Sequence, residues 1–73
     1  MTSGWMVRAI LDQAGDELRL EMVATRENHG RTEYTADVTV VDHPAEARMQ
    51  CAAFAKSLGA HAYSLEDRRA AAA

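Results

Sequence analysis

Apolar and polar residues alternate through the first half of this chain, and the pattern changes character at Pro44. Residues 5–12 (WMVRAILD) place Trp5, Val7, Ala9 and Leu11 on one side and Met6, Arg8, Ile10 and Asp12 on the other. That is the period of two expected of a strand. Val7, Ile10, Leu11 and Ala14 also fit helical spacing, so a helix competes here. The strand is favoured because QAGD at 13–16 reads as a tight connection into the next alternating run. Residues 17–25 (ELRLEMVAT) alternate most cleanly, with Leu18, Leu20, Met22 and Ala24 opposed to Glu17, Arg19, Glu21, Val23 and Thr25. RENHGR at 26–31 reads as a polar loop in which Asn28 and Gly30 supply positive φ. Residues 32–41 (TEYTADVTVV) alternate again, with Tyr34, Ala36, Val38 and Val40 expected to face inward. Three strands with short connections predict an antiparallel meander.

Asp42-His43-Pro44 signals a helix start, with Pro44 in the first turn and Glu46 three residues beyond a His43 cap. The helix should run to about Leu58, where Gly59 supplies a left-handed stop. Ala47, Cys51, Phe54 and Leu58 share a stripe, while Glu46, Gln50, Lys56 and Ser57 point away. That stripe should cover the apolar side of the sheet. Residues 60–65 (AHAYSL) read as a short fourth strand. From Ser64, SLEDRRAAAA has high helix propensity and little to bury, which predicts a short or fraying terminal helix over 66–73. The expected fold is thus α+β: a three-stranded antiparallel β-meander, one amphipathic α-helix packed on it, a short fourth strand and a short C-terminal helix. The 73 residues are expected to form a single domain.

Composition narrows the function. A chain of this length buries about 60% of its unfolded surface, leaving little material for a deep pocket as well as a core. With 48% apolar and 26% charged residues, it has a globular balance rather than a disordered one. The single cysteine, Cys51, cannot form an internal disulfide, which favours a reducing, cytoplasmic compartment. No apolar run approaches the roughly 20 residues of a membrane span, and MTSGWMVR does not read as a signal peptide. The net charge of −3 is uneven: residues 1–42 hold eight acids against four arginines, and residues 43–73 hold three acids against four bases. Direct nucleic-acid binding needs the opposite bias.

Candidate chemistry is sparse. His29, His43 and His61 fall in different elements without a second ligand at metal spacing. Cys51 sits on the buried stripe of the helix and reads as a core side chain. Ser3, Ser57 and Ser64 lack a nucleophile-elbow context. The four scattered glycines form no phosphate cradle. No enzymatic activity, cofactor or metal is therefore expected.

The side of the sheet away from the helix carries more information. Pairing the strands around short loops brings Glu21 opposite Asp37, with Arg8 on its other side, sets Asp12 against Glu17 and puts Glu33 beside Thr25. Like charges directly opposite are unfavourable by some tenths of a kcal/mol, so a cationic partner is one reason for them. A plain solvated face is the other. Met6, Ile10, Val23 and Val41 project on the same side, either as scattered exposed apolars or as an interface with a second copy.

The acidic hairpin ELRLEMVATRENHGRTEYTADVTVV and the following helix PAEARMQCAAFAKSL resemble the small phage-encoded anti-CRISPR proteins in size, charge and layout. The resemblance is to a class without a diagnostic motif, so it carries over no residue role. It implies a protein-binding inhibitor that occupies a Lys/Arg-lined nucleic-acid groove of a CRISPR-Cas effector, its carboxylates standing in for phosphates. The expected contacts are Asp12, Glu17, Glu21, Glu33 and Asp37. The alternative from the residues themselves is a homodimeric structural or accessory domain; monomer and homodimer both remain open.

Overall fold

A computed structural model describes residues 4–69. Strands β1 (Met6–Ala14), β2 (Glu17–Asn28) and β3 (Arg31–Val41) precede helix α1 (Pro44–Ser57) and strand β4 (Tyr63–Asp67). They form one sheet in the order β3-β2-β1-β4. β1–β2 and β2–β3 are antiparallel, as the meander predicts, while β4 joins the far side of β1 in parallel. The parallel direction follows from connectivity, because α1 carries the chain back across the sheet before β4 begins. The strand–helix competition at residues 5–12 resolves to strand. β1 is central, paired on both sides, so its backbone groups are satisfied across the sheet.

The helix boundaries match the sequence signals. His43 is the N-cap and Pro44 opens the first turn. The His43 side chain makes no cap bond. Glu46 instead reaches back past the cap to accept from the Asp42 backbone N–H at 3.5 Å. At the other end Gly59 adopts φ 73°. Its N–H donates to the Lys56 carbonyl at 3.0 Å, and the Ala60 N–H donates to the Ala55 carbonyl at 2.9 Å. This pair of bonds is a Schellman closure.

The core lies between α1 and one face of the sheet. Ala9, Leu11, Leu20, Met22, Val41, Ala47 and Cys51 form its larger part, with Leu18, Phe54, Tyr63 and Leu65 packed against them. Val7, Ala24 and Ala55 form the rest, flanked by Trp5, Leu58 and Ala60. Alanines on both layers (Ala9 and Ala24 below, Ala47 and Ala55 above) let the helix sit close to the strands. Of the expected helix stripe, Ala47 and Cys51 are buried, while Phe54 and Leu58 are half-buried. Ala55 takes the remaining central place.

Three expectations are corrected. β3 presents its other side to the helix: Val41, Thr39, Asp37, Thr35 and Glu33 share the face of Leu18, Leu20, Met22, Ala24 and Arg26. Tyr34, Val38 and Val40 are exposed on the opposite face. The cause is the β2–β3 turn. It contains two residues, His29 (φ 53°) and Gly30 (φ 79°), the doubly positive pattern of a type I′ hairpin. Asn28 then pairs with Arg31 instead of sitting in a six-residue loop. The pairing moves by one residue relative to expectation, and a one-residue slip exchanges faces. The second correction concerns the tail. The fourth strand spans Tyr63–Asp67, later than residues 60–65, and a helix cannot begin at Ser64 because that residue pairs with Arg8. The expected tail helix otherwise extends into residues 70–73, which lie outside the described residues. Thirdly, β1 and β2 extend to Ala14 and Glu17 around a Gly15-Asp16 turn, which moves every pairing between them by two residues without changing faces.

Candidate interaction surface

Among the described residues, one face of the sheet has no second layer. Reading across β3, β2 and β1, its rows are Tyr34–Thr25–Met6, Ala36–Val23–Arg8, Val38–Glu21–Ile10 and Val40–Arg19–Asp12. β4 adds Ser64 beside Arg8 and Glu66 beside Ile10. The β3 column is apolar throughout. Tyr34, Val38 and Val40 are 67%, 56% and 53% exposed, and Met6 is 68% exposed across the sheet from them. A shallow depression of about 390 Å³ lies on this face, bounded by Met6, Arg8, Ile10, Glu21, Val23 and Glu66.

The five carboxylates expected to gather on one acidic face are divided. Asp12, Glu17 and Glu21 lie on the uncovered face, where Asp12 stands opposite Arg19, Glu17 opposite Ala14, and Glu21 between Ile10 and Val38. Glu33 and Asp37 lie on the helix side. Glu33 pairs with Arg26 across the strands: the Arg26 Nε donates to its Oε1 at 2.8 Å, and the Asn28 amide donates to the same oxygen at 2.8 Å. These bonds hold the Glu33 carboxyl below the usual glutamate range. Arg26 also stacks over the Trp5 ring, 4.6 Å from its centroid. Asp37 stands opposite Met22 at an exposed position. The expected facing of Glu21 with Asp37, and of Asp12 with Glu17, is therefore replaced by pairings that avoid like charges.

Sequence reasoning missed the β3 column and the Arg26–Glu33 pair. The signal for both was present: reading His29-Gly30 as a two-residue turn fixes Arg26 against Glu33 and turns Val38 toward Glu21.

Among the described residues the ion pairs are Arg26–Glu33, Arg68–Glu66 and Arg69–Asp67. Arg8, Arg19, Asp12 and Glu21, all on the uncovered face, take part in none of them. The Arg69 side chain donates to Asp67 and lowers its carboxyl below the ordinary aspartate range.

Elsewhere the chemistry is plain. Cys51 is buried and burial pushes its thiol up, away from the reactive thiolate form. No three His, Cys, Asp or Glu side chains converge as a metal site among the described residues. No helix among them is long and apolar enough to cross a membrane. An open cleft of about 780 Å³ runs between Gly4–Arg8 and Gly59–Ser64, and it holds His61 with no carboxylate or thiol beside it. Comparison with family models, with curated proteins and with solved structures finds no match to this chain.

Proposed function

We propose that this chain is a non-enzymatic protein-binding domain that works through the uncovered face of its sheet. The observation that carries the reading is the orientation of β3. Its apolar residues point away from α1, so Tyr34, Val38 and Val40 meet solvent. A small domain has few apolar side chains to spend, and its stability margin is thin. Placing this column outward is unfavourable for the isolated chain and becomes favourable once another surface covers it.

The resemblance to anti-CRISPR proteins gives this reading a specific form, in which the partner is a CRISPR-Cas effector subunit and binding is inhibitory. Phosphate mimicry would then rest on Asp12, Glu17 and Glu21, with Arg8 and Arg19 set among them. That mixture favours a partner with apolar and mixed-charge complementarity over a purely basic groove. A salt titration separates the modes. Affinity that falls steeply with ionic strength supports mimicry, and a shallow dependence supports apolar docking.

A photo-crosslinking residue tests the surface itself. Placed at Val38, it should form protein adducts in cells making the chain and in concentrated purified protein. Placed at Gln50, which is exposed on the helix, it should not. Adducts from Gln50 alone, or none from Val38 in either setting, would refute the proposal.

A further inference from the structure

We infer that the uncovered face binds a second copy of this chain across a two-fold axis, an inference that rests on the binding-face reading above. The centre of the face is a block of four residues. Val23 stands beside Arg8, and one step along the strands Glu21 stands beside Ile10. The two apolar residues occupy one diagonal of the block and the two opposite charges the other. A two-fold axis through Val23 and Ile10 exchanges the corners of the charged diagonal. It sets Arg8 of each copy against Glu21 of the other, twice per dimer, while Val23 and Ile10 pack near the axis. Self-complementarity of this kind is what an isologous interface requires.

Two further observations agree. Arg8 and Glu21 make no ion pair within the chain among the described residues. Their long side chains can span the ~10 Å between packed sheets, with Met6, Val38 and Val40 filling the space around them. The diagonal axis crosses the two sheets steeply, so strips of four strands at about 4.8 Å spacing overlap over about 400 Å² per copy, the area of a weak, concentration-dependent dimer.

The test is sedimentation of the purified full chain from about 1 µM to about 500 µM. Wild type should sediment as a dimer at the upper end. Arg8→Glu and Glu21→Arg should each weaken dimerisation at least tenfold, because each leaves like charges facing across the axis. The double charge swap should restore it to within a few-fold of wild type. Circular dichroism and a urea midpoint confirm that each variant is folded. If a charge variant does not fold, Val38→Thr supplies the same test by weakening apolar contact at an exposed position. A wild-type monomer at 500 µM overturns the inference, as does a dimer indifferent to all of these changes, which would use another surface. A monomer that still forms Val38 adducts with another protein sinks self-association alone and leaves the binding face standing.

Discussion

Val40 and Val41 are neighbours in sequence and lie on opposite faces of β3, 53% and 3% exposed respectively. Replacing each by threonine keeps the shape and the β-propensity, so the two substitutions differ only in what surrounds the new hydroxyl. Val41 belongs to the core cluster that holds Leu20, Ala47 and Cys51, and among the described residues no polar side chain is buried. A hydroxyl there loses its water without a built partner, which costs about 1–3 kcal/mol on the scale of protein substitutions. A change of about 2 kcal/mol lowers the melting temperature of a domain this small by roughly 8–16 °C. Val40→Thr leaves its hydroxyl in water and should stay within about 0.5 kcal/mol of wild type. Urea denaturation at low micromolar concentration reads both, with equal m-values showing that midpoints alone have moved. Repeating the experiment at several hundred micromolar adds the assembly: Val40→Thr should then lose stability relative to wild type, because the dimer covers it. Equal destabilisation by the two variants in dilute solution would refute the register, and with it the exposed apolar column.

Gly30→Ala should lower stability by about 1 kcal/mol, read from the urea midpoint, because φ 79° lies in the left-handed region; no atom lies within 4 Å of the added Cβ, so the cost is backbone conformation and an undiminished midpoint would count against the two-residue turn. Glu33 has its folded carboxyl below the ordinary 4.5, so its contribution is complete above that value and is lost as pH falls through the lower folded value. Glu33→Gln should therefore remove part of the acid sensitivity between about pH 5 and pH 2, in urea midpoints compared with wild type, since Asp67 shifts in the same direction in both. Identical pH profiles would show that the Arg26–Glu33 pair is absent in solution.

The positions where the expected pattern held share a local cause. His43-Pro44 and Gly59 act through their own backbone preferences, so the limits of α1 could be read directly. Leu18, Leu20 and Met22 alternate against charged neighbours, and burial of that side is the arrangement that leaves the charges in water. β3 lacks this contrast. Thr35, Asp37 and Thr39 on one side and Ala36, Val38 and Val40 on the other make it amphipathic, but an exposed edge position on the helix side tolerates the polar set. Apolar periodicity alone therefore gave the wrong face. The candidate site suffered the same error, since moving β3 by one residue took Glu33 and Asp37 off the face that holds Asp12, Glu17 and Glu21.

Local sequence thus determined that four segments would be extended and where the helix between the third and fourth would start and stop. Tertiary structure decided which side of β3 meets the helix, which carboxylates share a surface, and that β4 runs beside β1 in parallel. Alternation fixes the two sides of a strand relative to each other. Which of them faces the core depends on hydrogen-bond register, and here that register was set by two turn residues with positive φ.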